Sequence, residues 1–182
     1  MMNPYQLYLV TDDQQDLETL KHVVAEAIKG GVTMVQVREK HGDVRAFIER
    51  AQAVKAILQG TGVPLIINDR VDVALAVDAD GVHLGQSDMP ADLARQLIGD
   101  QKILGLSVEN DQQLLDAEAM PVDYLGSVPS LLRRPKPISR KRGALTAWHK
   151  PSLRVRSRLS PLVVSICRTL LIFMPLAQTV SP

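Results

Sequence analysis

The feature that most constrains this chain is an alternation of short apolar runs with longer segments of helical periodicity. Six such runs lie within residues 1–126, namely LYLV, TMVQVR, PLIIN, GVHLG, ILGLS and VDYLG. Segments with apolar residues at helical spacing separate them, the first being Leu17–Ile28, which Gly30 and Gly31 end. Strands that alternate with crossover helices form a parallel sheet, and its buried strands read as continuous apolar runs. The sequence therefore predicts an α/β fold built from repeated βα units.

Two architectures fit this alternation, a (β/α)8 TIM barrel and an open doubly wound sheet. No G-x-G-x-x-G turn follows the first apolar run, which counts against a dinucleotide-binding sheet. In both architectures, functional side chains gather where the strands end and the loops begin. We therefore expect the chemistry of this protein at the carboxyl ends of its strands.

Charge divides the chain into two unlike segments. Residues 1–126 contain 20 acidic and 10 basic residues, a formal charge of −10, whereas residues 127–182 contain 11 basic residues and no acidic one. One interpretation is a basic arm that binds nucleic acid or acidic lipids. Its contact residues would be Arg133, Arg134, Lys136, Arg140, Lys141 and Arg142. The other interpretation is that this tail is not a functional part of the protein.

Location and membrane association follow from a few features. The start MMNPYQLYLV resembles no signal peptide, and the single cysteine, Cys167, cannot form an internal disulfide, so we expect a cytoplasmic protein. The apolar segment Ser160–Val180 approaches the length of a membrane span, but Arg168 and Pro175 interrupt it. We expect no membrane partner.

The second apolar run ends in an unusual polar group. Alternation along a strand places Gln36, Arg38 and Lys40 on one side, which is the lumen in a barrel. Guanidinium binds phosphate oxygens in bidentate fashion and ammonium adds a point charge, so this set suits a polyanion. An exposed strand end with ordinary salt bridges explains the same residues equally well.

Later runs also end in polar residues. Asp69 and Asp88 each precede a helical segment, so they either cap those helices or, from neighbouring strand ends, hold Mg²⁺. Ser107 closes the fifth run and either binds a phosphate or caps the next helix. His83 lies inside an apolar run and is interpreted as a satisfied core residue. Together with Gln36, Arg38 and Lys40, these residues describe a metal-bound diphosphate site.

These residues also resemble the thiamine-phosphate synthase family, whose members are (β/α)8 barrels. The matching stretches are YLVTD, GGVTMVQVREK, LIINDRVDVALAVDADGVHLGQSDMP, ILGLSVEN and VDYLG. They follow in order over Tyr8–Gly126, and the elements VQVREK, NDR and GVHLGQ-D are distinctive. The resemblance implies that residues 1–126 form about five and a half βα units of a TIM barrel.

The resemblance also implies an activity and its residues. The reaction joins hydroxymethylpyrimidine diphosphate to thiazole phosphate and yields thiamine phosphate and pyrophosphate, with Mg²⁺ as cofactor. The family pattern assigns substrate binding to Gln36, Val37, Arg38, Glu39, Lys40, Asn68 and Ser107, with Arg38 and Lys40 as the catalytic residues. It assigns the metal to Asp69 and Asp88. The implied partners are these two small molecules, without nucleic acid.

The resemblance stops near Gly126, where family members continue with GPVFATQTK and later VAIGGI and AAGADGVAVVS. A shifted reading frame of Ser160–Ser181 can yield VAVGGIDLPNVADLYAAGADGV, and the same shift of Leu132–Arg142 can yield ATQTKADISQA, with Lys136 in the register of the family's loop lysine. We interpret residues 127–182 as an out-of-frame tail without regular structure. The expected function is therefore that enzyme by ancestry, with no turnover by this chain. The alternatives are a non-catalytic or thiazole-isomerising relative of the barrel and a binding module with a basic arm.

Overall fold

The computed structural model describes residues 4–127 and the backbone of residues 171–172. Six strands and five helices alternate within residues 4–127, and a short seventh strand follows at the end. The strands are β1 Leu7–Val10, β2 Met34–Val37, β3 Leu65–Asn68, β4 Gly81–Leu84, β5 Ile103–Val108, β6 Tyr124–Ser127 and β7 Leu171–Ile172. The helices are α1 Leu17–Lys29, α2 Val44–Leu58, α3 Val71–Ala76, α4 Ala91–Ile98 and α5 Asp111–Ala117.

The order of the strands distinguishes between the two predicted architectures. Strands β1 to β6 are parallel and lie side by side in chain order, and β7 pairs antiparallel with β1. A doubly wound sheet reverses its strand order at a switch point, and β1 to β6 show no such reversal. The arrangement is that of a (β/α) barrel wall, so the predicted TIM-barrel class is confirmed over these six strands.

The sheet curls so strongly that its first and sixth strands meet across the concave side. In a flat sheet, five strand spacings would separate β1 from β6 by about 24 Å. The hydroxyl oxygens of Tyr8 in β1 and Tyr124 in β6 are nevertheless only 2.7 Å apart. The concave face therefore encloses a lumen, as the interior of a barrel does.

Alternation along the strands gives each face of the sheet its own apolar cluster. The main core lies between the sheet and the helices and includes Val35, Val37 and Ile67, all fully buried. A smaller cluster of Tyr8, Met34, Ile66 and Tyr124 fills the lumen. This burial on both faces explains why the strands read as continuous apolar runs.

Three of the helices begin at side-chain caps. Asp16, Asp43 and Asn110 stand at the N-cap positions of α1, α2 and α5, and the side chain of each accepts a hydrogen bond from the backbone amide three residues on. Helix α1 ends at Lys29 with Gly30 as its C-cap, which confirms the stop expected from the two glycines. The caps fix where each helix leaves the carboxyl end of the preceding strand.

Several expectations concern residues that the structure does not describe. The proposed basic contact residues between 133 and 142, and the side chains of the apolar segment 160–180, lie outside the described residues. The prediction that residues 127–182 lack regular structure also lies mostly outside them. The described exceptions are Ser127, which pairs with Val108 in β6, and the two residues of β7, which pair with β1. Within residues 4–127, none of the five helices has the length and apolar character that a membrane crossing requires.

Candidate functional site

A cavity of about 740 Å³ opens at the carboxyl ends of the six parallel strands. Each strand contributes to its wall, either through its last residues or through the loop that follows it. The lining polar side chains are Tyr8, Thr11, Asp12, Gln36, Arg38, Lys40, Asn68, Asp69, His83, Gln86, Ser87, Asp88, Ser107, Glu109, Tyr124 and Ser127. The structure thus brings together Gln36, Arg38, Lys40, Asn68, Asp69, Asp88 and Ser107, which the sequence had indicated as site residues.

Strand β2 directs alternate side chains to opposite faces. Gln36 is almost completely buried in the lumen, where its Nε2 donates a hydrogen bond of 2.9 Å to the hydroxyl of Tyr8. Arg38 and Lys40 follow on the same side and line the cavity. Val37 points the other way, into the core between sheet and helices, and its side chain does not reach the cavity. Two cationic groups and an amide therefore converge at one strand end.

Glu39 also faces away from the cavity, toward helix α2. Its carboxylate accepts a hydrogen bond from Nε of Arg50 at 2.5 Å, and both side chains are nearly buried. Burial raises the pKa of Glu39, while the hydrogen bond and positive charge of Arg50 oppose that rise. Arg50 also donates to the backbone carbonyls of Asp12 and Gln15, at 3.3 Å and 2.7 Å. This clamp joins the loops that follow β1 and β2.

A second contact joins the same two loops. The Asp13 carboxylate accepts a hydrogen bond of 3.1 Å from the backbone amide of Lys40, and it lies 2.9 Å from Nδ1 of His41. Hydrogen bonds from Gln14 and His41 are the main reasons why the pKa of Asp13 falls below its ordinary range. The backbone that carries Lys40 is thereby held in place at the rim of the cavity.

The carboxyl groups of Asp69 and Asp88 lie next to each other after β3 and β4. Burial, a hydrogen bond to Asp88 and the negative charge of Asp88 raise the pKa of Asp69 to about 6, although Arg38 and Lys40 oppose the rise. Asp69 has a φ of 62°, a left-handed conformation that is uncommon outside glycine and often marks functional sites. Its amide donates to the carbonyl of His83 at 2.8 Å, which fixes this turn.

Neither carboxylate caps the helix that follows it. Arg70 and Pro90 occupy the N-cap positions of α3 and α4, and neither helix has a side-chain cap. Asp88 instead accepts a hydrogen bond of 2.6 Å from the amide of Gly85 within its own loop. The capping interpretation of Asp69 and Asp88 therefore does not hold, and both carboxyl groups face the cavity.

The donor set at these strand ends suits a hard divalent cation. The described residues contain no cluster of three or more His, Cys, Asp or Glu side chains arranged to hold a metal. Mg²⁺ requires less, because it usually takes one or two protein carboxylates and completes its shell with water and substrate phosphates. Two adjacent carboxyl groups, one with a raised pKa, provide such a pair beside two cationic side chains. Asp69 and Asp88 therefore fit the role of magnesium ligands.

A hydrogen-bonded group of buried side chains forms the floor of the cavity. The Tyr124 hydroxyl lies 2.7 Å from the Tyr8 hydroxyl and 2.9 Å from Nδ1 of His83. The other ring nitrogen, Nε2 of His83, lies 2.8 Å from Oγ of Ser107. Burial lowers the pKa of His83 to about 4, so the imidazole is neutral. His83 is a satisfied residue, as expected, and Ser107 bonds to it instead of capping α5.

Sequence reasoning missed the two tyrosines of this floor. Tyr8 and Tyr124 lie in apolar runs, and that pattern alone predicts only that they belong to strands. Their hydroxyl groups could have indicated the hydrogen-bonded floor, because a tyrosine hydroxyl that is buried in a strand usually finds a hydrogen-bond partner. The structure also places Asn68 in the wall, almost completely buried, and shows Gln86 donating a hydrogen bond of 2.6 Å to the carbonyl of Ser107.

Comparisons with known proteins agree on one family. Residues 7–140 match the family described as thiamine monophosphate synthase. The thiamine-phosphate synthase of Vibrio parahaemolyticus is 80% identical over 125 residues, which are 69% of this chain and 61% of the relative. The protein of the same name from Methanobrevibacter smithii is 52% identical over 120 residues, covering 66% of this chain and 57% of the relative.

A solved structure supports the same relationship. The thiamine phosphate pyrophosphorylase of Pyrococcus furiosus superposes with a TM-score of 0.61 at 38% sequence identity. The match covers 69% of this chain and 60% of that one. This chain thus spans about three fifths of the length of the curated relatives and of this structural neighbour.

Proposed function

The chain belongs to the thiamine monophosphate synthase family, and we propose that residues 4–127 carry the pyrimidine-diphosphate half of a thiamine-phosphate synthase site. The proposed reaction is the transferase step that joins hydroxymethylpyrimidine diphosphate to thiazole phosphate and releases pyrophosphate. One observation carries the proposal. Arg38 and Lys40 share a single cavity with the adjacent carboxyl groups of Asp69 and Asp88 at the carboxyl ends of the strands.

Each proposed role follows from the chemistry of the side chain. Arg38 binds phosphate oxygens through its guanidinium, and Lys40 adds a second positive charge beside them. Gln36 and Asn68 present amide groups from buried positions in β2 and β3, where they bind the pyrimidine part of the substrate. Ser107 provides a hydroxyl at the end of β5 for the diphosphate. Val37 and Glu39 support this surface by fixing β2 and its following loop.

The proposed mechanism needs no nucleophilic side chain. The bond between the pyrimidinylmethyl carbon and the diphosphate oxygen breaks, and the pyrophosphate leaves with the electron pair. The thiazole ring nitrogen then forms the new bond to that carbon. Negative charge grows on the leaving pyrophosphate, and the cationic side chains of Arg38 and Lys40, which line the cavity, stabilise it. Mg²⁺, when held by Asp69 and Asp88, would neutralise the same charge.

The site for thiazole phosphate is proposed to need βα units beyond residue 127. We propose that residues 127–182 are read out of frame, because one shifted frame can yield family sequences from two separate windows. Sequencing the DNA near the codons for Gly126 and Ser127 tests this. Restoring one nucleotide should open a frame through GPVFATQTK, VAVGGI and AAGADGV and rescue growth of a thiamine-requiring strain. If no such frame exists, the frameshift is refuted.

Binding of the pyrimidine diphosphate tests the proposed function directly. The 182-residue chain should bind this compound saturably in the presence of Mg²⁺, and should form no thiamine phosphate at a rate typical of enzymes, roughly one turnover per second. The variant Arg38→Ala should lose this binding, whereas Arg45→Ala, which removes the same charge from the exposed face of α2, should retain it. Salt-sensitive binding of nucleic acid in place of the diphosphate would instead support the basic-arm alternative.

A further inference from the structure

A chain of hydrogen bonds crosses the lumen from β2 to β5. Gln36 Nε2 donates to the Tyr8 hydroxyl at 2.9 Å, which lies 2.7 Å from the Tyr124 hydroxyl. Tyr124 bonds to Nδ1 of His83 at 2.9 Å, and Nε2 of His83 bonds to Ser107 at 2.8 Å. Five strands contribute one residue each, and all five residues line the cavity. The direction of the bonds at His83 decides what Ser107 offers to a ligand.

Neutral imidazole has one nitrogen that donates and one that accepts. The ring of His83 is buried, and both of its hydrogen-bond partners are hydroxyl groups and not carboxylates, so the imidazole is in this neutral form. Two hydroxyl groups, those of Tyr124 and Ser107, therefore compete to donate to its single acceptor nitrogen. A phenol, with an ordinary pKa of about 10, is far more acidic than an aliphatic alcohol and is the stronger donor. The Tyr124 hydroxyl should consequently donate to Nδ1, which leaves the proton of the ring on Nε2.

This assignment has a consequence at Ser107. We propose that His83 is a positioning residue that donates from Nε2 to Ser107 Oγ and so leaves the serine hydroxyl hydrogen available to a phosphate oxygen in the cavity. In the opposite orientation, the serine would donate its hydrogen to His83 and would present only lone pairs to an anion. The inference rests on the proposed function only in naming phosphate as the acceptor.

One other contact agrees with this orientation, and the packing at Gly105 makes room for the hydrogen bond itself. At the other end of this series of hydrogen bonds, the amide of Gln36 donates to the Tyr8 hydroxyl, so the bonds run in the same direction, from Gln36 toward Ser107. Gly105 lies beneath the junction of His83 and Tyr124, where a Cβ atom would stand 2.2 Å from Cζ of Tyr124 and 2.5 Å from Nδ1 of His83. The absence of a side chain at position 105 makes room for this hydrogen bond.

Nuclear magnetic resonance of the imidazole nitrogens tests the orientation in the intact 182-residue chain. The chain has four histidines, so the His83 signals are assigned as those missing from the His83→Gln variant. At neutral pH we expect a protonated Nε2 and an unprotonated Nδ1 at His83. The Ser107→Ala variant should keep this tautomer, because Tyr124 determines it. A protonated Nδ1 in the wild type would overturn the inference.

Binding of inorganic pyrophosphate with Mg²⁺ tests the positioning role. Ser107→Ala should weaken binding about tenfold, because it removes one hydrogen bond to a charged oxygen. His83→Leu should weaken binding by up to the same factor, because the serine hydroxyl is then no longer held in position. The double variant should lose no more than Ser107→Ala alone, because His83 acts through Ser107. His83→Gln keeps an amide donor close to the position of Nε2 and should restore most of the affinity.

The variants also separate the possible failures. Additive losses in the double variant, or unchanged binding by His83→Leu, would overturn the positioning role. If the wild-type chain does not bind pyrophosphate at all, the proposed function fails, while the tautomer measurement still decides the orientation at His83. The tautomer that decides the orientation is measured in the wild-type chain. Of the variants, only His83→Gln, which serves to assign the signals, must fold for this measurement.

Discussion

The hydroxyl oxygens of Tyr8 and Tyr124 lie 2.7 Å apart, although 116 positions separate them in the chain and four strands lie between β1 and β6. Their rings also meet edge to face, with centroids 5.9 Å apart. The contact bridges the lumen across the curled sheet. It also holds the strands that carry the cavity walls at a fixed separation, so it links the fold to the site.

Removing the bridge should destabilise the chain. Tyr124→Phe takes a hydroxyl from the buried group and leaves His83 and Tyr8 each without one partner, at a cost of about 1–3 kcal/mol in the free energy of unfolding. Urea denaturation of the single variants Tyr8→Phe and Tyr124→Phe and of the double variant measures this loss in the free energy of unfolding. The double variant should lose less than the sum of the two single losses, and strict additivity would argue against a direct bond.

The lack of a side chain at Gly105 should be essential to this arrangement. A methyl group there would collide with the ring of Tyr124 and with Nδ1 of His83, so Gly105→Ala must displace one of them. We expect a loss of about 1–3 kcal/mol in stability and an altered His83 nitrogen spectrum. Gly30→Ala is the control, because Gly30 is right-handed and its nearest contact would be 3.3 Å away. Equal, small effects of both changes would contradict this packing.

Much of the fold could be predicted from the sequence because its strands are buried on both faces. Each of the six apolar runs became a strand, and the stop at Gly30 ended α1 as expected. Alternation also predicted that Gln36, Arg38 and Lys40 share one side, which is the side that faces the cavity. These results depend on local patterns, which a single sequence contains.

The remaining features depend on long-range geometry. The meeting of Tyr8 and Tyr124 requires the curl and the register of six strands, which no local pattern records. Taken singly, Asp69 is better explained in the sequence as a helix cap. Only the structure, in which Arg70 is the N-cap of α3, excludes that role. Glu39 is in the predicted site only through the family resemblance. Its partner Arg50 lies in helix α2, and no local pattern shows that the two side chains meet.

Arg50 should be needed to hold the cavity rim. Arg50→Gln leaves the nearly buried Glu39 without its charged partner, which should cost roughly 2 kcal/mol or more in stability and weaken pyrophosphate binding through the loop of Lys40. Thermal denaturation and calorimetry measure the two effects. Adding Glu39→Gln should recover part of the stability, because no buried charge is then unpaired. Arg45→Gln, on the exposed face of the same helix, should change neither quantity.

Acid should destabilise the chain through His83. Burial lowers the pKa of this imidazole to about 4, against about 6.5 in the unfolded chain. Between these values the unfolded state binds a proton that the folded state does not, so stability falls as the pH falls from 6.5 to 4, by about 3 kcal/mol. Asp88 is the nearby charge that opposes the lowering, and Asp69, whose pKa is raised, acts in the opposite direction on stability.

The difference between two proteins isolates this contribution. Urea denaturation of the wild type and of His83→Gln between pH 4 and pH 7 should show that the wild type loses more stability on acidification. Asp69 and every other titrating group is common to both proteins, so its contribution largely cancels. Parallel pH profiles would show that His83 titrates normally in the folded chain.

The central claim is that the strand ends of this chain bind a diphosphate together with a divalent cation. Titration of the 182-residue chain with inorganic pyrophosphate, followed by calorimetry with and without Mg²⁺, tests it most directly. We predict saturable binding at one site that requires Mg²⁺, at least tenfold weaker in Asp69→Asn and in Arg38→Ala, and unchanged in Asp92→Asn, which alters an exposed carboxylate at the start of α4. No saturable binding by the wild type, or binding that Asp69→Asn and Arg38→Ala leave unaltered, would contradict the claim.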